Sequence, residues 1–236
     1  MTEISEHSPT VDLRQVLEEA MTLHRSGRVE GAILIYRQVL DRYPGQPDAL
    51  HYLGMASYSR GDYRQAIELI NEALSVAPGY VEALNNLGVI YQGMGELGEA
   101  ENCYRKVIDL RPAHGNSHNN LGIILRRQGK VRDAAAAFEQ ALTLNPDHAQ
   151  AHHNLGNLYR AAGNFGEAII HFQAAIDAGL QTGDARQALF DALYSEEADR
   201  NAAALMRYGI DGAAVLAEAR ASIGANGNIR CREARE

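Results

Sequence analysis

Four Leu-Gly pairs, Leu53-Gly54, Leu87-Gly88, Leu121-Gly122 and Leu155-Gly156, stand at a constant step of 34 residues. Gly27, Gly61, Gly95, Gly129 and Gly163 keep the same step, each followed five positions later by an alanine: Ala32, Ala66, Ala100, Ala134 and Ala168. Pro44, Pro78, Pro112 and Pro146 form a third series in the same register. A chain of 236 residues could otherwise form one or two compact domains, but three series in phase specify a linear array.

The register divides the chain into units 13–46, 47–80, 81–114, 115–148 and 149–182. In each, the first dozen residues carry helical apolar spacing, as in Leu84, Leu87 and Tyr91, and a glycine near the fifteenth position ends the helix. A second helix follows, apolar along Tyr63, Ala66, Ile67, Ile70, Ala73 and Leu74 in the second unit. The spacing therefore predicts antiparallel helix pairs. Gly88 and Ala100 let the two helices approach, Tyr91, Leu97 and Tyr104 fill the wider gaps, and Pro112 stops the second helix. One such pair leaves a broad apolar side that only a neighbouring pair can cover.

The run Leu84-Asn85-Asn86-Leu87-Gly88, with Tyr91, Gly95, Ala100, Tyr104 and Pro112, resembles the tetratricopeptide repeat motif, over residues 13–182 in all. The resemblance implies an all-α fold, a right-handed superhelical solenoid whose concave groove is lined by the first helices. The repeats are also similar to those of O-linked N-acetylglucosamine transferase-like proteins. The first unit departs from the motif, with Glu19 and Ala20 in place of Leu-Gly, as suits a terminal repeat with one face in water.

Residues 1–12 are expected to be flexible. Residues 183–222 read as a degenerate sixth repeat or capping helices, with amphipathic stretches at 184–195 and 197–208 and a further helix over 213–222 capped by Asp211. The tail, 223–236, has too few apolar residues to pack and is expected to be mobile.

Charge narrows the function. With 30 acidic against 22 basic residues the formal net charge is −8, which argues against general nucleic-acid binding. Cys103 and Cys231 lie too far apart in sequence to suggest a disulfide framework or a thiolate metal site. No signal-like start and no apolar run of about 18 residues is present, so a cytoplasmic protein without a transmembrane segment is expected. No phosphate-loop, nucleophile-elbow or metalloprotease pattern occurs, and neither catalysis nor a cofactor is expected. His114, His118, His148, His152, His153 and His171 have no spacing that completes a metal site, and satisfied or partly buried histidines are the expectation.

The candidate binding residues fall on the first helices. Asn86, Asn120 and Asn154 share one register position and form a row whose amides, expected to face solvent, could hold an extended peptide backbone. The row resembles the asparagine ladder of the transferase repeats, although asparagine is also ordinary background at this position. Around it stand Tyr52, Asn85, Asn119, Arg126, Arg127, His153, Asn157 and Arg160. The early part is aromatic and the late part basic, so an acidic segment suits the late repeats, unless the arginines pair with local acids. Lys106 and Lys130 stand at the wrong positions for a clamp on a terminal carboxylate. The sequence thus predicts a non-catalytic scaffold for an unidentified protein or peptide. Its alternatives are the substrate-recognition portion of a larger glycosyltransferase and a structural protein that self-associates through its repeat ends.

Overall fold

The computed structural model describes residues 12–180 and 183–193, all helix and connecting turn. Eleven helices occupy these residues: α1 (Leu13–Arg25), α2 (Val29–Arg42), α3 (Pro47–Ser59), α4 (Tyr63–Val76), α5 (Val81–Met94), α6 (Leu97–Leu110), α7 (Gly115–Arg127), α8 (Val131–Leu144), α9 (Ala149–Ala161), α10 (Phe165–Asp177) and α11 (Gly183–Leu193). The expected stretch 184–195 corresponds to α11, begun one residue earlier and described to Leu193; the expected helices over 197–208 and 213–222, the tail 223–236 with Cys231, and residues 1–11 of the N-terminal stretch expected to be flexible lie outside the described residues, while Asp12 of that stretch caps α1.

The chain divides into two compact units at Pro112 and Ala113. In the first, α1 packs on α2, α3 on α4 and α5 on α6, while α2 meets α3 and α4 meets α5. The first helices also touch in order, α1 with α3 and α3 with α5. In the second, the pairs are α7 with α8 and α9 with α10, joined by α8 against α9, and α10 is covered by α11. This is the all-α tetratricopeptide fold class that the repeat implied.

The local signals act as their chemistry requires. Gly95 takes φ of 82° at the end of α5, a left-handed conformation that costs a residue with a Cβ far more than glycine. Helices α2, α4, α6 and α8 end two residues before Pro44, Pro78, Pro112 and Pro146. At helix starts, Asp12, Gln46 and Asp62 accept backbone N–H groups, and so do the rings of His114 and His148, which receive the Ser117 and Ala151 amides at 3.3 Å.

The core of each pair is a large ring or branched side chain set against a glycine. Tyr104, Phe138 and Phe172 are fully buried, and a Cβ on Gly88, Gly122 or Gly156 would come within 2.7, 2.6 and 2.7 Å of them, respectively. At the first pair the glycine is replaced by Ala20, itself buried in a cluster with Leu17, Ile33, Tyr36 and Leu53. At the far end Ile169 and Phe172 pack with Ala188, Leu189 and Ala192 of α11, so this helix covers the apolar side that α10 would otherwise leave open.

Candidate functional site

In the first unit, the face formed by α3 and α5 carries a directed chain of hydrogen bonds. Tyr80 Oη lies 2.6 Å from Asp48 Oδ1, His51 Nδ1 lies 3.1 Å from Tyr80 Oη, and Asn86 Nδ2 lies 2.8 Å from His51 Nε2. A carboxylate only accepts, so Tyr80 donates to Asp48; an amide NH2 only donates, so His51 accepts at Nε2 and donates from Nδ1. The ring must then be neutral. Burial pushes His51 down to about 4, against the opposing pull of Asp48 and Glu82, which is consistent with that state.

In the second unit the equivalent asparagine uses a neighbour of the same kind. Asn154 Nδ2 donates to Asn119 Oδ1 at 3.0 Å, joining α9 to α7. His148 Nε2 donates to Asn116 Oδ1 at 3.0 Å between the same two helices. A second chain fastens α9 to α10: His152 Nε2 donates to the Pro146 carbonyl at 2.9 Å, leaving Nδ1 to accept from His171 Nδ1 at 2.9 Å. His171 lies flat against Tyr159, and burial followed by the nearby His152 pushes it down to about 4.

These contacts correct one expectation. Asn154 and Asn119 are only 8% and 6% exposed, so they do not present amides to solvent but bond each other. A buried amide without a partner is costly, and the paired arrangement removes that cost. Asn86 is half-buried and held by His51. Asn120 is also half-buried, and like Asn85 it has an interaction within the protein.

The remaining candidates divide between the units. Tyr52 is half-buried in the first, with its ring 5.1 Å from that of His51. In the second, Arg160 Nη2 donates to Asn157 Oδ1 at 3.2 Å and Nη1 stands 3.5 Å from Asp191 Oδ2 of α11, so this arginine does pair with a local acid. His153 is half-buried, and its ring packs 5.6 Å from that of Phe172. Arg126 and Arg127 are exposed. Sequence reasoning missed His51, Tyr80 and Asp48. A polar residue 35 positions before an asparagine, as in His51 and Asn86 or Asn119 and Asn154, was the available signal.

Burial raises the Cys103 thiol to about 11, which disfavours the nucleophilic thiolate. Among the described residues no group of three or more His, Cys, Asp or Glu side chains is arranged to hold a metal ion. Among the same residues no helix is long and apolar enough to cross a membrane.

Solved structures of similar fold include PilF of Pseudomonas aeruginosa, 20% identical with a TM-score of 0.72, over 89% of this chain and 96% of that one. A thermophilic TPR protein of Thermus thermophilus is 23% identical with a TM-score of 0.62, over 77% and 99%. YrrB, described as a TPR protein with an unusual peptide-binding site, is 20% identical with a TM-score of 0.58, over 75% and 91%. At these identities the likeness is one of fold. No curated protein matches the chain in sequence. The family model of the Cilia and flagella-associated protein 70 C-terminal domain, a tetratricopeptide-type model, matches residues 1–223, and the chain belongs to that family.

Proposed function

We propose that the chain is a non-catalytic scaffold that holds an extended peptide or a protein surface against its first helices, with the five repeats drawn at 13–46, 47–80, 81–114, 115–148 and 149–182 and with 183–222 as a degenerate sixth repeat or capping helices. The observation that carries this reading is Asn86. His51 fixes one of its N–H groups, while its carbonyl and second N–H have no partner among the described residues. A half-exposed amide held in one orientation can bond a peptide backbone with little further loss of freedom. Tyr52 and Asn85 flank it in the compact unit that ends at Pro112; in the one that starts at Ala113, Asn120, Asn157, Arg126, Arg127 and Arg160 are the groups offered to a partner, and an acidic segment there meets the exposed Arg126 and Arg127 and competes with Asp191 for Arg160. YrrB, whose described property is a peptide-binding site, supports the general reading by fold alone.

The substrate-recognition role in a glycosyltransferase is the weaker reading, because a continuous ladder needs free amides and Asn154 is bonded to Asn119. Affinity purification of the full chain from its source, followed by calorimetry with the protein recovered, tests the scaffold. Changing Asn86 and Asn120 to alanine is expected to cost about 0.5–1.5 kcal/mol per lost hydrogen bond, and reversing Arg126 and Arg160 to glutamate is expected to weaken an acidic partner. Unchanged affinity in both folded variants would move the binding surface away from the first helices.

A further inference from the structure

A cavity of about 610 Å³ opens beside α1 and α3 in the first unit, and its lining combines apolar surface with unbalanced charge. Leu17, Met21 and Tyr52 give it an apolar wall, and Asp12, Glu18 and Asp48 give it three carboxylates against the single guanidinium of Arg14. That guanidinium is engaged, with Nε 3.1 Å from Glu18 Oε1. Asp48 is bonded by neutral donors, the Tyr80 hydroxyl at 2.6 Å and the Gln46 amide at 3.2 Å, and Asp12 by the backbone N–H of Arg14 at 3.0 Å. Two carboxylates therefore stand at the cavity without a cation among the described residues.

We propose that this cavity takes a peptide segment in which a lysine or arginine stands beside an apolar side chain, the cation meeting Asp48 and Asp12 and the apolar group meeting Leu17, Met21 and Tyr52. Asp48 is oriented before binding, because Tyr80, His51 and Asn86 hold it from one side and Gln46 from the other. The aliphatic stem of a lysine or arginine can lie along the tyrosine while its head reaches the carboxylates. Charge speaks against the chain's own first residues as occupant, since 1–11 contain Glu3 and Glu6 and no lysine or arginine. This inference rests on the scaffold reading and adds to it the chemistry of the partner at one end, opposite in sign to the acidic segment that suits Arg126 and Arg160.

The test selects a randomised dodecapeptide display library on the full chain, on the Glu18→Lys, Asp48→Asn double variant and on the Arg126→Glu, Arg160→Glu double variant, with circular dichroism to establish that each is folded. Glu18→Lys alone is carried as a further variant, because Glu18 is exposed and outside the Asp48 hydrogen-bond chain. The parent is expected to enrich lysine or arginine next to leucine, methionine or an aromatic residue. Synthetic copies should bind at least tenfold more weakly to the Glu18→Lys variants in fluorescence anisotropy, bind the arginine variant as they bind the parent, and weaken with salt. A cationic pool that binds all variants alike overturns the cavity and leaves the scaffold standing. An acidic pool lost only on the arginine variant also overturns the cavity, while supporting the scaffold through its second unit. No enrichment on any form overturns both. A synthetic 224–236 peptide, which carries Arg230, Arg232 and Arg235, serves as competitor. If it outcompetes every selected sequence, a second copy of this chain replaces a foreign partner and the proposal falls.

Discussion

Gly88 shows what a single missing side chain does in this chain. A Cβ there would lie 2.7 Å from Tyr104 Cε1 and 2.9 Å from its Cζ, and Tyr104 is fully buried, with its hydroxyl bonded to Gln92 at 3.2 Å. Alanine would gain up to about 1 kcal/mol of helix propensity over glycine but lose roughly 1–3 kcal/mol to overpacking against a ring that has nowhere to move. Gly88→Ala is therefore expected to destabilise, and Gly88→Leu to destabilise further, in urea unfolding; a raised midpoint for the alanine variant would refute the close contact. His51 supplies a second prediction. Its folded value of about 4 lies below the ordinary 6.5, so between those values the unfolded chain binds the extra proton, and stability falls as pH drops from about 6.5 towards 4. The loss is on the order of 2–3 kcal/mol for a ring this buried. Its NMR titration should show the ring still neutral at pH 5.5, and a midpoint near 6.5 would contradict the hydrogen-bond directions assigned to it. The glycine was legible from the repeat, because only a close approach explains Leu-Gly four times in phase. The histidine was not, because its partners Asp48, Tyr80 and Asn86 come from two units of the repeat and only packing assembles them.

At the scale of the helix, apolar cover explains that neighbouring pairs stack, and the polar bonds between first helices specify where. Asn154 ties α9 to α7 through Asn119, in an environment where neither side chain has easy access to water. Asn154→Ala should cost about 1–3 kcal/mol, because the Asn119 oxygen is left buried and without its donor. Asn119→Ala should cost a similar amount, and the double variant less than the sum, a coupling measurable by urea unfolding of all four chains. Strict additivity would mean that the amides are bonded elsewhere. The helix boundaries themselves were written in the sequence by glycine at one end and proline past the other. The caps made by His114 and His148 were not, since histidine is seldom a cap and its role depends on the ring turning back to the Ser117 and Ala151 amides. The same limit applied to the asparagine row: register gave its position on the helix, but exposure depends on the residue across from it, and Asn119 closes over Asn154 where His51 leaves Asn86 half-open.

A chain assembled by repetition should tolerate loss of a whole step far better than loss of half a step. Within the first unit, removing 47–80 would delete α3 and α4 together and bring the start of α5 to the end of 13–46, in the place that α3 now occupies. The incoming apolar positions match, with Ala83, Leu87 and Ile90 in place of Ala49, Leu53 and Ala56, all buried in their present settings. The polar register does not match, because Asn86 would take the place of Tyr52, which now packs against the cluster containing Leu17. An amide set against leucine forfeits both the histidine bond and the aromatic contact. The 34-residue deletion is therefore expected to retain its helicity per residue in circular dichroism and to unfold cooperatively at a lower midpoint, and adding Asn86→Tyr should recover part of that loss by restoring the tyrosine beside Leu17. Removing 63–79 instead takes away α4 alone, leaves Gly54 and the buried face of α3 without Ala66 and Ile70, and should yield an aggregated or molten chain. Equal damage from the two deletions, or no gain from the tyrosine, would show that the first unit folds as a single indivisible core and that the 34-residue step describes its ancestry without governing its stability.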